Sequence, residues 1–424
     1  MMPLTPAWFP LKPHPVQSDL WRTSSRFVAV YAGRGSGKTL LARRRVVRFL
    51  NVKKPWPDPI YFYALPTRDQ ARRVAWPALK ALVPKHWLTT EPSESEMSIS
   101  TIFGSKLYLV GMDKPQRIEG NQWDGGVIDE SSDHKPKSFD LSVRPALSHR
   151  NGWCWRIGVP KRTGCGAIDF KEWCLDRAEA TFTWPSEDIL PPEEIAEAQA
   201  QLDPRDFNEQ YRASWETASG LVFHAFSDVL NVNPKVQYNR DLPLLVGSDF
   251  NVDPMAWVVA QQFGPEMHVL DELFLRNSNT QLALAELHRR YASHTAGVRF
   301  YGDATGRARK TSATESDYVQ IRNFAGFKDS KVFYPRANPA VADRFAATNA
   351  MFCNAAGVHR LYIHPRCKNL IKDLTNRAYK PGSNEPDDHG DVGHITDALG
   401  YLIYWLHPLH VKLFDKAPEV RMIQ

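Results

Sequence analysis

The sequence has few cysteines and no long apolar segment. Its five cysteines are scattered over 424 residues and form no CxxC pair, which argues against a disulfide framework or a zinc site and indicates reduced thiols in a cytosolic protein. An apolar run of about 18 residues and a signal-peptide core are both absent, so neither a membrane span nor secretion is expected. Lysine and arginine (53) only slightly outnumber aspartate and glutamate (47). This balance excludes a histone-like polycation and leaves an anionic partner open.

What is present is the composition of a large globular protein. Apolar residues make up 43% and charged residues 24% of the chain, which excludes disorder as the main state. At about 150 residues per domain, the length predicts two or three domains. Strand-like runs that alternate with helical patterns predict a doubly wound, mainly parallel α/β sheet over residues 1–185. A polar helical connector is expected over residues 186–240, and a second α/β domain over residues 241–424.

A glycine-rich loop follows the first strand-like run and precedes a helical pattern. It fits the phosphate-binding pattern GxxxxGK[ST], with Ala32 in place of the first glycine. Lys38 would neutralise the β- and γ-phosphates, and Thr39 would hold Mg²⁺. The following helix points its positive end at the phosphates. The predicted nucleotide-binding residues are Gly33, Arg34, Gly35, Ser36, Gly37, Lys38 and Thr39.

An apolar run that ends in two carboxylates supplies the acidic partner of this loop. In Gly126-Val127-Ile128-Asp129-Glu130, Asp129 would bind Mg²⁺ and Glu130 would activate the attacking water as general base. These P-loop NTPase features predict hydrolysis as well as binding. No NKxD signature for guanine is present, so ATP is favoured over GTP, and Gln17 is a candidate reader of the adenine edge.

Cations surround these motifs. Ten lysines and arginines lie between Asp19 and Asp58, where no acidic residue occurs. A basic helix in this window would either contact a nucleic-acid backbone or present an ordinary solvated face. Three arginines are candidates for stabilising the transition state, in the same subunit or in a neighbouring one: Arg34, Arg117 and Arg144.

The second half of the chain carries spaced carboxylates instead of a nucleotide loop. Asp249 and Asp303 each end an apolar strand-like run, and Asp397 opens an apolar helix. Three strand-like runs followed by alternating helices and strands have the order of a ribonuclease-H-like fold, in which such carboxylates would bind two Mg²⁺ or Mn²⁺ ions. The alternative is that these residues are helix caps and turn formers. His394 would orient a ligand or a water, or would itself bind the metal, and the reserve metal ligands are Asp253, Glu272 and Asp391.

An ATPase followed by a ribonuclease-H-like nuclease resembles the large terminase subunit of tailed bacteriophages. The resemblance covers roughly residues 17–405. Besides the glycine-rich loop and the Asp129-Glu130 strand end, it rests on Arg117-Ile118-Glu119-Gly120, Phe207-Asn208-Glu209-Gln210-Tyr211, Asp249-Phe250, Gly302-Asp303-Ala304-Thr305-Gly306 and His394-Ile395-Thr396-Asp397-Ala398-Leu399-Gly400-Tyr401.

The resemblance implies a packaging motor in the host cytoplasm. Subunits would form a ring, commonly a pentamer, on the portal protein of an empty capsid, and would act with a small terminase subunit. ATP hydrolysis would move double-stranded DNA, and Asp249, Asp303 and Asp397 would hold the nuclease metals. One departure is that Ile157-Gly158-Val159-Pro160 has no hydroxyl where the family carries a Ser/Thr coupling motif, which leaves Thr163 as the substitute.

Three other functions remain open from the sequence alone. The first is a DNA helicase or translocase whose C-terminal domain does not cleave. The second is a non-enzymatic assembly scaffold with a decayed nucleotide loop, against which the intact Lys38 and Glu130 argue. The third is a recombination nuclease with an incidental ATPase.

Overall fold

The computed structural model describes residues 8, 12–162, 164–215, 220–307, 315–327, 329–380, 383 and 385–409. The described chain divides into two compact units. The first contains the residues up to Ile195 and the segment from Asn208 to 215; the second contains Ala196–Phe207 and the residues from 220 onwards. Each unit is built on its own sheet.

The first unit is built on a seven-stranded sheet with the order β3-β4-β2-β5-β6-β1-β7. All neighbours are parallel except β3, which is antiparallel to β4. The strands are β1 (Phe27–Ala32), β2 (Ile60–Leu65), β3 (Ser98–Ser100), β4 (Lys106–Gly111), β5 (Gly125–Ile128), β6 (Trp153–Gly158) and β7 (Ala180–Trp184).

Helices cover both faces of this sheet because its strands are apolar on both sides. Val28 and Val30 of β1 belong to one core cluster, whereas Phe27 and Ala29 belong to the cluster on the other face. The helices of this region are α1 (Pro15–Arg22), α2 (Lys38–Phe49), α3 (Arg68–Gln70), α4 (Trp76–Leu82), α5 (Arg144–Ser148) and α6 (Ala167–Glu172), followed by α7 (Pro192–Gln201), α8 (Pro204–Tyr211) and α9 (Asp228–Asn231).

The second unit has a six-stranded sheet with the order β12-β11-β8-β9-β10-β13. The central β8, β9 and β10 form an antiparallel meander, and β11, β12 and β13 each pair in parallel with a neighbour. The strands are β8 (Leu244–Asp249), β9 (Met255–Phe263), β10 (Glu266–Leu275), β11 (Val298–Gly302), β12 (Lys331–Phe333) and β13 (Leu361–Ile363).

Two apolar clusters sandwich the second sheet. One cluster joins it to residues of α12, α13 and α14, and the other joins it to residues of α10 and α11. These helices are α10 (Thr280–Arg290), α11 (Asp317–Asn323), α12 (Val341–Phe352), α13 (Lys368–Asn376) and α14 (His394–Leu406). Among the helices of the described ranges, none is both long and apolar enough to cross a bilayer.

The predicted α/β fold class is confirmed in both units, whereas three strands escaped prediction. β3 and β12 have three residues each, too few to show an alternation. β7 lies at a sheet edge and alternates Thr181 and Thr183 with larger side chains. The division into domains ending at residues 185 and 240 stays a prediction.

Candidate active sites

The glycine-rich loop lies between β1 and α2, at the carboxyl end of a central parallel strand. Gly35 and Gly37 have φ angles of +70° and +86°, a left-handed conformation that side-chain-bearing residues rarely adopt. The first turn of α2 has no side-chain cap, so its backbone N–H groups are available to an anion.

Close packing fixes the loop from outside. A Cβ on Gly33 would lie 2.2 Å from Ser186 Oγ and 2.4 Å from Tyr211 O, so a side chain does not fit there. The Arg34 N–H donates to Gln210 O at 2.6 Å. Ser36 Oγ and Arg34 Nε are buried without a hydrogen-bond partner in the described part of the chain. Because buried polar atoms are normally paired, this cradle fits a phosphate-bearing ligand.

The amide of Gln17 contacts this loop from α1. Its Nε2 donates to Ser36 O at 2.9 Å, and the Trp184 indole donates to the same oxygen at 3.0 Å. Gln17 is buried, and its amide N–H is therefore directed at the loop backbone. Recognition of adenine by Gln17 stays a prediction. Only the amide atoms that do not take part in the contact with Ser36 O would be available for it.

Lys38 lies among charges of both signs. Its ammonium donates to Gly33 O at 3.2 Å. Burial lowers the pKa of Lys38 to about 8, an effect that the carboxylates of Asp129 and Glu130 oppose and that the charges of Arg34 and Lys161 reinforce. An anionic ligand would relieve the repulsion between these cations.

Asp129 ends β5 in a buried, hydrogen-bonded position. Its carboxylate accepts from Tyr63 Oη at 2.5 Å and from the backbone N–H of Glu130 at 2.9 Å. Burial raises the pKa of Asp129, with a further rise from the Glu130 charge. A cation such as Mg²⁺ would favour the ionised carboxylate.

Glu130 is half exposed and conformationally unusual. Its φ of +58° is left-handed, a conformation that is uncommon in residues other than glycine and often found at functional sites. The Lys161 ammonium lies 3.6 Å from its carboxylate and also pairs with Asp133. Sequence reasoning missed Lys161, since no pattern in the sequence places it beside Glu130. The predicted substitute Thr163 lies outside the described residues.

The structure does not bring the other candidate arginines to the loop. Arg117 donates to Asp113 at 2.8 Å and to Gly111 O at 3.1 Å, beyond the end of β4, which three strands separate from β1. Arg144 lies against the ring of Phe27, at the amino end of β1 and thus opposite the loop. For Arg117, action on a neighbouring subunit stays a prediction.

Two of the arginines that predict a basic face of α2 are buried, whereas Arg48 of the same helix is exposed. Arg44 and Arg45 are both buried. Arg45 donates to Trp21 O at 2.8 Å and to Thr23 O at 3.1 Å, and burial lowers its pKa to about 10. Both readings of this helix, as a nucleic-acid surface and as a solvated face, are therefore wrong for these two arginines.

In the second unit, parallel pairing brings two predicted carboxylates together. Gly302 of β11 is paired with Ser248 of β8, so Asp303 and Asp249 follow at the same level of neighbouring strands, which lie about 4.8 Å apart. Asp303 is held by the Thr305 hydroxyl and by the N–H of Gly306 at 3.1 Å.

Helix α14 brings Asp397 to the same edge. A Cβ on Gly247 of β8 would lie 2.3 Å from Ala398 O, so only a glycine allows this close approach of helix and strand. Burial raises the pKa of Asp249, and the negative charges of Asp397 and Asp303 raise it further. The three carboxylates are thus close enough to repel one another, an arrangement that a cation would stabilise.

His394 pairs with Asp249 at the start of α14. Its Nδ1 lies 2.9 Å from Asp249 Oδ2, and this hydrogen bond raises the pKa of His394. The predicted orienting role of His394 is compatible with this contact.

Two buried arginines hold Asp397, and sequence reasoning missed both. Arg377 donates to its Oδ1 at 2.9 Å and Arg344 lies 3.3 Å from the same atom. Within the described ranges, no three His, Cys, Asp or Glu side chains form a ready metal cage. The hard oxygen donors fit Mg²⁺ or Mn²⁺ by chemistry, whereas Asp397 would have to exchange an arginine for the ion.

The reserve ligands serve other contacts. Asp391 and Asp253 both pair with Arg276, and that pairing lowers the pKa of Asp391. The Glu272 carboxylate accepts the N–H groups of Asn369 and Leu370, at 2.9 and 2.8 Å, at the start of α13. Glu272 is therefore a helix cap, which corrects its assignment as a reserve ligand.

One protein family model matches the N-terminal half of the chain. Residues 29–227 match the model of the N-terminal region of the T4likevirus-type terminase large subunit. This range includes the glycine-rich loop, both carboxylates at the end of β5, and α8. No curated protein matches the sequence significantly.

Solved structures match both units at once. The large terminase of a thermophilic bacteriophage superposes with a TM-score of 0.58 and 15% identity, over 92% of this chain and 98% of that chain. The same phage protein in complex with ATP-γ-S gives a TM-score of 0.55 at 15% identity, and in complex with ADP 0.54 at 16%, each over 92% of this chain and 98% of that chain. At these identities the similarity shows the fold.

Proposed function

We propose that the chain is a terminase large subunit, the motor and nuclease of viral DNA packaging. ATP hydrolysis in the first unit would drive double-stranded DNA into a procapsid, and the second unit would cut the concatemer. The observation that carries this proposal is the presence of two separate polar sites on two sheets, one built around Lys38 and one around Asp249.

In the first site, the chain's residues would hold and orient the nucleotide. Lys38 and the N–H groups of the first α2 turn would bind the phosphates, and Thr39 with Asp129 would hold Mg²⁺. The metal would neutralise charge that develops on the phosphates. Glu130, exposed at the end of β5, would take the proton of the attacking water.

In the second site, Asp249, Asp303 and Asp397 would hold two divalent metal ions. Bound Mg²⁺ or Mn²⁺ would activate water and stabilise the leaving 3′ oxygen of the phosphodiester. His394 would keep the Asp249 carboxylate in one orientation through the contact at 2.9 Å.

The wider assembly follows from the family. We propose that the chain acts in the host cytoplasm, as a ring, commonly of five copies, on the portal protein and together with a small terminase subunit. In such a ring, Arg117 is available to act on the nucleotide of a neighbouring copy, since its own loop lies three strands away.

Two substitutions test the proposal. Wild type is expected to hydrolyse ATP and to cut plasmid DNA with Mg²⁺ or Mn²⁺. Lys38→Ala should lose ATP hydrolysis and keep cleavage. Asp249→Asn should lose at least about a hundredfold in cleavage, more than loss of an outer-shell partner costs, and keep ATP hydrolysis. Loss of both activities in either variant would contradict two chemically separate sites.

One observation favours the alternative of a translocase whose second unit does not cleave. The Asp397 carboxylate forms ion pairs with Arg377 and Arg344. A metal ion would have to compete with these two arginines for it. If folded, ATP-hydrolysing wild type fails to cut DNA at millimolar Mn²⁺, the alternative replaces the nuclease part of the proposal.

A further inference from the structure

Lys161 is a cation that the nucleotide-binding motifs do not include. It lies three residues after the end of β6, and its side chain is one-quarter exposed. Its ammonium donates to Asp133 Oδ2 at 2.5 Å and lies 3.6 Å from the Glu130 carboxylate, so Asp133 is the nearer of its two acidic partners. One lysine is thus shared between two acidic side chains at the end of β5.

The backbone on both sides of Lys161 is anchored. The Ser132 hydroxyl donates to Val159 O at 2.8 Å, and the Gly166 N–H donates to Ser132 O at 3.0 Å. The Arg162 N–H donates to the Glu209 carboxylate at 3.0 Å. The position of the Lys161 backbone is therefore fixed, whereas its four-carbon side chain can redirect the ammonium.

Lys161 belongs to the same electrostatic environment as the glycine-rich loop. Its charge and that of Arg34 both contribute to lowering the pKa of Lys38. An ordinary surface ion pair contributes little to stability, and it gives no reason for a third cation at this place. A triphosphate would offer Lys161 a more highly charged partner than the Glu130 and Asp133 carboxylates beside which it lies.

We propose that Lys161 is the residue that distinguishes a triphosphate from a diphosphate. In the empty or ADP-bound site it pairs with Glu130. With a triphosphate bound it turns to the γ-phosphate, which leaves the Glu130 carboxylate free to accept a proton from water. This inference rests on the proposed nucleotide site.

The test is equilibrium binding of ATP-γ-S and of ADP, each with Mg²⁺, to the full chain by titration calorimetry. Lys161→Ala should weaken ATP-γ-S binding about tenfold to a hundredfold, the effect of one hydrogen bond to a charged group, and leave ADP affinity within about twofold. Lys161→Arg should keep most of the preference for ATP-γ-S. Lys161→Met, which preserves the aliphatic stem, should behave like the alanine variant.

Lys171→Ala removes a lysine of α6 that has no assigned part in the site, and it should bind both nucleotides as wild type does. An unchanged ratio of the two affinities in Lys161→Ala and Lys161→Met would overturn the inference while leaving the ATPase proposal intact. Equal loss of both nucleotides would also overturn it, because it would indicate a structural role. Wild type that binds neither nucleotide would overturn the ATPase proposal and the inference together.

Discussion

Asp129 and Glu130 are adjacent in the chain but lie in different surroundings. Asp129 is buried and bonded to Tyr63, whereas the Glu130 side chain is half exposed. Burial and the Glu130 charge raise the pKa of Asp129, so a bound cation would favour its ionised form. The exposed Glu130 is the carboxylate that a water molecule can reach.

Glu130→Gln is accordingly expected to bind ATP and to hydrolyse it about a hundredfold to ten-thousandfold more slowly, the usual contribution of a general base. The glutamine has the same size and keeps the backbone. Single-turnover kinetics with saturating ATP measure the effect directly, and calorimetry checks that binding persists. A turnover rate near that of wild type would show that another group takes the proton.

His134 predicts a dependence of stability on pH. Its Nε2 lies 2.7 Å from Asp129 O, and burial lowers the pKa of His134 to about 4. An unfolded histidine takes up a proton near pH 6.5. Between about pH 6.5 and 4 the unfolded chain therefore binds more protons, and the free energy of unfolding falls as the pH falls.

Replacement by glutamine removes this titration. Urea unfolding at pH 7.5 and pH 5 measures how much the free energy of unfolding falls between the two pH values. We expect this fall to be about 1–2 kcal/mol larger for wild type than for His134→Gln, since one pKa unit corresponds to about 1.4 kcal/mol. Equal losses in the two proteins would mean that His134 does not titrate in this range.

The residues that sequence reasoning found and missed differ in one physical respect. Lys38, Asp129 and Asp249 end or begin an element in the linear sequence, so a local pattern identifies them. Lys161 contacts Glu130, which lies 31 residues away in the sequence. Arg377 contacts Asp397, which lies 20 residues away. Only the folded chain creates such pairs, and no spacing rule indicates them.

At the scale of elements, α14 and β8 are held together by a glycine. Gly247→Ala would place a Cβ 2.3 Å from Ala398 O, so the strand and the helix must separate. We expect a loss of about 1–3 kcal/mol in the free energy of unfolding, typical of overpacking, and a loss of cleavage because Asp397 moves away from Asp249.

Gly400 supplies the matched control on the same helix. A Cβ there meets its nearest neighbour, a side-chain atom of Arg344, at 3.6 Å, an ordinary contact. Gly400→Ala should therefore be neutral or slightly stabilising, since alanine favours a helix interior by about 1 kcal/mol over glycine. Thermal unfolding and plasmid cleavage are measured for both variants. Full cleavage by Gly247→Ala would show that a glycine at this position is not needed to hold α14 against β8.

The elements themselves were more predictable than their surfaces. Strand-like runs separated by helical patterns in the first half, and the three successive strand-like runs of β8 to β10 in the second, predicted the fold class. The basic sequence of α2 wrongly predicted that Arg45 is at the surface, because its guanidinium donates to the backbone oxygens of Trp21 and Thr23. Which face of a helix is buried depends on neighbours that composition does not reveal.

At the scale of the whole molecule, the chain has nearly equal numbers of positive and negative residues, and yet it is proposed to bind DNA, a polyanion. The net charge is only +6, so DNA binding must rely on local cations such as Arg307, which follows β11 and is exposed. The neighbouring cations Arg309 and Lys310 lie outside the described residues. Affinity for double-stranded DNA should fall steeply with salt, because neutralising phosphates releases counterions.

Arg307→Ala should reduce the slope of log affinity against log salt by about 1, the value of one phosphate contact. Arg289 is the control, because this exposed arginine of α10 pairs with Glu286 on its own helix. Fluorescence anisotropy with a DNA duplex at several salt concentrations gives both slopes. The same slope in Arg307→Ala and wild type would remove Arg307 from the DNA interface.

The left-handed backbone of Glu130 has a consequence for engineering. A residue other than glycine pays about 1–3 kcal/mol for such a conformation, and asparagine tolerates it better than glutamate does. Glu130→Asn is therefore expected to raise the melting temperature while abolishing turnover, so that a more heat-resistant protein is obtained at the expense of its activity. Such a variant would suit structural work on nucleotide-bound assemblies, and a lower melting temperature would show that the surrounding contacts, not the side chain, set this backbone.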